Sequence, residues 1–332
     1  MTIRPATHAG TWYTSSSHKL MAQLKTLFEQ TLVRPTTGNR VLLGPHAGYT
    51  YSGERLAETF AVWDTTKVKR IFLLGPSHHV YFNNKVLVSK YDGYETPMGV
   101  LPVDTETVKT LINKVSSLGR HIFKYMSEEV DDDEHLFEMH APFIYYSSKE
   151  LPQGIPKIIP ILISGMDDKL NLELATALAP YLEAEENHFI ISSDFCHWGS
   201  RFGYTKYLHK EPKKSDDIIP SELSSLSNVH ASYDKYGSSS KSKTMPIHTS
   251  IELLDRTGMN VALTGSYIKW KRYIDVTGNT ICGQLPIGVI LRMLEVGDVD
   301  LTFEWIGYSQ SNSVTRPSES SVSYASGYIT IE

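Results

Sequence analysis

Three apolar runs in this sequence each lead into a turn that carries histidine. Val41–Leu43 runs into Gly44-Pro45-His46-Ala47-Gly48-Tyr49, Ile71–Leu74 into Gly75-Pro76-Ser77-His78-His79, and Phe189–Ile191 into Ser192-Ser193-Asp194-Phe195-Cys196-His197. A lone histidine is usually structural, but three at equivalent positions after three strand-like runs point to one shared site. Imidazole ligates transition metals and moves protons near neutral pH. The Gly-Pro steps fix the backbone just ahead of His46 and His78, which favours a set orientation. Of the adjacent pair only one side chain can face a common crevice; His78, nearer its strand, is the expected ligand and His79 its neighbour.

Cys282 is the fourth element. It lies in Asn279-Thr280-Ile281-Cys282-Gly283, just ahead of a helix-like stretch, where the free N–H groups of a helix start are expected to favour the thiolate. Cys196, beside Phe195, reads as packing. His135 and His140 are five residues apart, which does not place both on one helix face as H-E-x-x-H does, so a zinc-protease helix is disfavoured. The acidic run Asp131-Asp132-Asp133-Glu134 reads as the first turn of a helix. The density of carboxylate and imidazole there makes His135 and His140 candidates for the lip of the site, and His8 in His8-Ala9-Gly10-Thr11-Trp12-Tyr13 is a further one.

The elements that must hold these residues follow from the apolar pattern. Val41–Leu43, Ile71–Leu74, Ile158–Ile163 and Phe189–Ile191 lack polar alternation, as strands buried on both faces do. Helical spacing recurs at His18–Gln30, at Asp104–Val115 with Asp104 as cap, at Leu170–Leu182, at Pro246–Asp255 stopped by Gly258, and at Pro286–Glu295. Strand patterns return at Leu301–Gly307 and Val322–Ile331. This alternation predicts an α/β fold, a single domain with a central mixed, largely buried sheet flanked by helices. In such sheets ligands bind in the crevice beyond the carboxyl ends of the strands, where the histidine turns fall. From Lys213 to Lys243 the chain carries ten serines and few large apolar residues, and is expected to be a mobile surface insertion.

Composition narrows the function. The 332 residues carry 32 Lys plus Arg against 37 Asp plus Glu, a net charge of −5, so charge alone draws the chain to neither nucleic acid nor an anionic membrane. No run approaches the ~18 apolar residues that span a bilayer. Two cysteines build no disulfide framework, and the N-terminus lacks a secretory leader, so a cytoplasmic or nuclear protein is expected.

At these same residues the chain resembles the Memo family (mediator of ErbB2-driven cell motility). The similar stretches are His8–Tyr13, Pro45–Tyr51, Gly75–Val80, Asp133–His135, Glu138–His140, Ser192–Gly199, Asn279–Gly283 and Ser320–Ala325, in the family's order over nearly the whole length. The resemblance implies one domain over residues 1–332, related in fold to class III extradiol dioxygenases. It implies a metal held by His46, His78 and Cys282, with His197 where the dioxygenases carry an acid/base histidine and Asp194 beside it. His8, Tyr51, His79, His135 and His140 would line the site. The dioxygenases use two histidines and a carboxylate; here Cys282 stands in the carboxylate's place, which softens the site toward copper and zinc. Iron or copper is therefore the expected cofactor, with zinc also fitting, in a protein of redox-linked signalling, cell motility or growth control. Two other functions stay open: a non-haem metal-dependent dioxygenase or hydrolase with His197 as general base, and an adaptor whose crevice takes a phosphotyrosine-containing signalling partner.

Overall fold

A computed structural model describes residues 1–209, 212, 217–229, 245–299 and 301–331. The four apolar runs form strands at Asn39–Gly44, Arg70–Pro76, Lys157–Ile163 and Asn187–Ser192, buried almost throughout. They are neighbours in a nine-stranded sheet. Asn187–Ser192 lies between Asn39–Gly44 and Arg70–Pro76, parallel to both, and Arg70–Pro76 pairs in parallel with Lys157–Ile163. Parallel strands buried on both faces need no polar alternation, which is why these runs are continuous. The sheet becomes mixed at its flanks. Val86–Val88 pairs antiparallel with Lys157–Ile163, and Ser321–Thr330 antiparallel with Asn39–Gly44. Glu304–Gln310 and His197–Trp198 both pair with Ser321–Thr330.

Helices flank this sheet. Gln284–Val296, apolar on most sides, packs on the central strands and on Asp168–Leu178. Tyr49–Ala61 packs on Asn39–Gly44, Ser321–Thr330 and the helix Ser17–Gln30. Stacked rings of Phe72 and Phe189, 4.8 Å apart, join adjacent strands within the core. Asp104 caps Thr105–Asn113 as expected, accepting from the Thr107 N–H, whereas the acidic run Asp131-Asp132-Asp133-Glu134 ends a helix rather than opening one: Ser127 caps Glu128–Asp133 through the Val130 N–H, and Glu134 closes it.

Gly258 does not stop its helix. Ile247–Ala262 runs through it, because Tyr273 packs where a side chain would stand, so the glycine serves a close contact rather than an end. Of the serine-rich stretch 213–243, residues 213–216 and 230–243 lie outside the described residues. Between them, Ser221–Ser225 forms a short 3-10 turn with Leu223 buried, and Ser227–Asn228 pairs with Lys206–Tyr207. Among the described residues no helix is long and apolar enough to cross a membrane.

Candidate metal centre

Three adjacent parallel strands end at one edge of the sheet, with Gly44 in register with Ser192 and Leu74 with Ile191. The turns that follow therefore bring His46, Asp194 and His78 to one place. The ring centroids of His46 and His78 are 5.0 Å apart. A third imidazole joins them from the short helix His135–Glu138, 4.6 Å from His78 and 5.3 Å from His46. One ligating nitrogen from each of His46, His78 and His135 lies within 4.8 Å of the others. Cys282 meets this group at His46, its Sγ 3.2 Å from Nε2.

Two glycines permit this convergence. A Cβ on Gly75 would stand 2.0 Å from Leu136, so only glycine lets the segment bearing Glu134 and His135 lie on the strand. A Cβ on Gly283 would stand 2.3 Å from the Cβ of Ser193, so only glycine lets the Cys282 strap close on the Asp194 turn. That strap is laced in place. The Gly283 N–H donates to Ser193 Oγ (3.0 Å) and the Asp194 N–H to Cys282 Sγ (3.1 Å). Behind it, Asn279 donates to Asp255 and to the Tyr273 hydroxyl, while Tyr308 donates to the second Asp255 oxygen.

The tautomers follow from the partners. Ser192 Oγ donates to the Leu136 carbonyl, so toward His46 it can only accept, and Nδ1–H of His46 donates to it at 2.8 Å. His46 Nε2 is then a lone pair facing the sulfur. Glu134, fully buried, accepts from Nδ1 of His78 at 3.1 Å, which leaves the His78 Nε2 lone pair free in the same way. A ligand histidine oriented by a hydroxyl or carboxylate on its other nitrogen is the arrangement of metal sites.

Electrostatics agree. Burial, then the neighbouring imidazoles of His78 and His135, holds His46 well below its usual range, and burial holds His135 down at about 3. Both are neutral, as ligands must be. Burial raises the Glu134 carboxyl, but the His78 contacts outweigh it and keep the group ionised below its ordinary value. The Cys282 thiol is the correction: burial and the nearby Asp194 push it well above the ordinary thiol value, outweighing the Gly283 N–H. The helix start does not make a free thiolate; a cation must displace the proton. The donor set, imidazole lone pairs beside a thiol, fits a transition metal of borderline or soft character.

The other expected residues fall at varied distances from this group. Asp194 accepts the His46 N–H at 2.8 Å and lies 4.0 Å from His46 Nε2. His197 donates from Nδ1 to the carbonyls of Phe195 (2.9 Å) and Thr280 (3.2 Å), leaving Nε2 as an acceptor. His79 is exposed; its nitrogen, a Glu134 oxygen and a His135 nitrogen form a second close grouping. His8 is 5.8 Å from His135 and bonded to Glu138. Tyr51 is exposed on its helix and lines a cleft of about 530 Å³ with Trp12, Arg201, Ser320 and Tyr324. His140 is fully buried against Gly44 and Phe60, held down at about 3 by burial.

Ser192, the orienting role of Glu134, and Trp12, whose ring lies 4.4 Å from that of His135, escaped the sequence reading. The signals available were position alone: Glu134 beside His135, Ser192 at the end of an apolar run and Trp12 close to His8.

A family model described as Memo-like protein matches residues 4–328. "MEMO1 family protein MHO1" of Saccharomyces cerevisiae is 42% identical, covering 100% of both chains. "MEMO1 family protein C4H3.04c" of Schizosaccharomyces pombe is 38% identical over 97% of each. "Protein MEMO1" of Homo sapiens is 33% identical over 99% of this chain and 97% of its own.

Proposed function

The chain belongs to the Memo-like protein family, and from that premise we propose that it binds one iron or copper ion through His46, His78 and Cys282 and acts in redox-linked signalling, motility or growth control. The observation that carries this reading is the set of aimed lone pairs. His46 and His78 each spend Nδ1–H on a buried acceptor, Ser192 and Glu134, and Cys282 Sγ is 3.2 Å from His46 Nε2. A bound iron or copper supplies one-electron chemistry there, whereas zinc fills the site without it. The protein's part is to hold two imidazoles fixed and to give up the Cys282 proton on loading, so binding strengthens as pH rises. Partners of this activity are phosphotyrosine-containing signalling proteins, in the cytoplasm and nucleus.

Elemental analysis of protein purified without oxygen tests the proposal. Near-stoichiometric iron or copper is expected in the native chain, and its loss in His46→Ala and Cys282→Ala. Metal-free native protein, or variants that load as well, overturns it.

A second reading, a metal-dependent dioxygenase or hydrolase, is favoured by His197. Its Nδ1–H is spent on two carbonyls, which presents Nε2 as a general base, with Asp194 nearby and the Tyr51–Arg201 cleft for a substrate or phosphopeptide. Oxygen uptake with catechols that disappears in His197→Ala supports it; silence across phenolic and ester substrates removes it.

A further inference from the structure

Resting on that reading, we infer that His135 is a fourth protein ligand, so that the ion is held in a closed shell of three imidazoles and one thiolate. The histidine is not a neighbour by accident of packing alone. Its ring lies against Trp12, with centroids 4.4 Å apart and planes tilted by 36°, a contact that fixes the ring's plane and leaves its edge nitrogens to the site. Among the described residues no group hydrogen-bonds either ring nitrogen, in contrast to His46, His78 and His197, each of which commits Nδ1.

Two groupings compete for His135: one with His46 and His78, the other with His79 and Glu134. The second is weakened by its carboxylate. Glu134 already accepts from the N–H groups of His78 and His79 on Oε1 and from His78 Nδ1 on Oε2. Those bonds crowd Oε1 and turn Oε2 toward His78, which makes the carboxylate an orienting group first. The first grouping has no such competitor.

The three imidazoles are grouped already, and four-coordination sets how far the sulfur must come to join them. Metal–nitrogen bonds of about 2.0–2.1 Å and a metal–sulfur bond of about 2.3 Å set tetrahedral edges of about 3.3 Å between nitrogens and about 3.6 Å between nitrogen and sulfur. The three nitrogens lie within 4.8 Å of one another and the sulfur is 3.2 Å from His46 Nε2. Loading would draw the three nitrogens in toward that edge, and Cys282, which meets the group at His46 alone, would have to swing further toward His78 and His135. A site with two histidines and the cysteine alone keeps an open position; with His135 it is saturated in the manner of closed structural or electron-transfer sites. The expected ligand class is therefore a divalent ion that accepts tetrahedral nitrogen and sulfur donors.

Cobalt(II) added to the metal-free full chain is the probe. The native protein should show the intense visible bands of four-coordinate cobalt and a near-ultraviolet thiolate-to-cobalt band. In His135→Ala the visible bands should fall severalfold to those of a higher-coordinate ion while the thiolate band persists, and affinity should drop by at least about tenfold. Unchanged bands and affinity in His135→Ala overturn the inference. X-ray absorption of the zinc-loaded native chain needs no variant to fold: three imidazole scattering shells support the fourth ligand and two refute it. Absence of the thiolate band in the native protein defeats the underlying Cys282 reading instead, and the two failures are thereby told apart.

Discussion

Two polar regions meet along the segment 131–138, one buried throughout and one opening to solvent at His78, and they end in opposite states. At the N-terminal side, Arg4 is fully buried and spends its guanidinium on the carbonyls of Pro5, Asp131, Asp132 and Glu134 and on the Glu138 carboxylate. Glu138 in turn accepts from His8 and the Tyr13 hydroxyl, and Asp131 from Ser89 and Tyr94. Every donor has a partner. A few residues along the same segment, His135 joins His46 and His78 with one nitrogen of each within 4.8 Å of the others, and neither His135 nitrogen has a hydrogen-bond partner among the described residues. The knot is satisfied polar structure and the cluster is polar chemistry held ready. Completeness of hydrogen bonding, together with an opening to solvent, separates site from scaffold.

The largest effect expected tests the knot. Arg4→Met leaves Asp131 and Glu138 buried without their counter-charge, and should cost about 3–5 kcal/mol in urea unfolding. A loss below about 1 kcal/mol would mean that the knot does not lock the segment.

Acid should then take the two regions apart in sequence. His135 and His140 titrate near 3 in the folded chain and at the ordinary 6.5 when unfolded. The unfolded state binds their protons first, so stability present above pH 6.5 falls as pH drops from there toward 3, by about 1.4 kcal/mol per unit for each histidine, or about 2 kcal/mol each at pH 5. Glu138, held at about 2 by the His8 and Arg4 contacts against the opposing effect of burial, begins to withdraw stability only below its ordinary 4.5. Urea midpoints measured from pH 8 to 4 should therefore fall before Glu138 begins to titrate, and His140→Gln should flatten the first part. A flat profile between pH 7 and 5 contradicts the neutral cluster.

Gly75→Ala pushes the segment off its strand through the Leu136 contact, and overpacking of this kind should cost about 1–3 kcal/mol. Metal affinity should fall with it, since Glu134 and His135 ride on that segment; thermal melts and metal titration of one preparation read both.

Glu134→Gln is the most selective change. Its amide can keep accepting from the backbone N–H groups but must donate to His78 Nδ1, which moves the His78 proton to Nε2 and blocks that lone pair. Metal affinity should drop about 10–100-fold, with a smaller loss of fold stability than Arg4→Met. Equal losses in both measurements would erase the distinction between knot and cluster.

Much of the frame was legible from residue order. Runs such as Ile71–Leu74 and Phe189–Ile191 are strands because continuous apolar sequence fits only a position covered on both faces. The turns beyond them had to carry His46, His78 and Asp194 to one edge. The preference for His78 over His79 as the inward residue remains a proposal, for both stand near Glu134 and His135. A place ahead of a helix start made Cys282 a candidate, and kinship linked it to those histidines.

What the order of residues determined was which groups ride on which strand ends, because hydrophobic periodicity is local and survives in one dimension. Only the tertiary structure decided that Glu134 orients His78, that Ser192 fixes the His46 proton, and that Cys282 is a thiol rather than a thiolate. Each of those depends on desolvation and on lone-pair direction between segments far apart in the chain. Such quantities exist only once Leu136 has come to rest on Gly75 and Gly283 on Ser193.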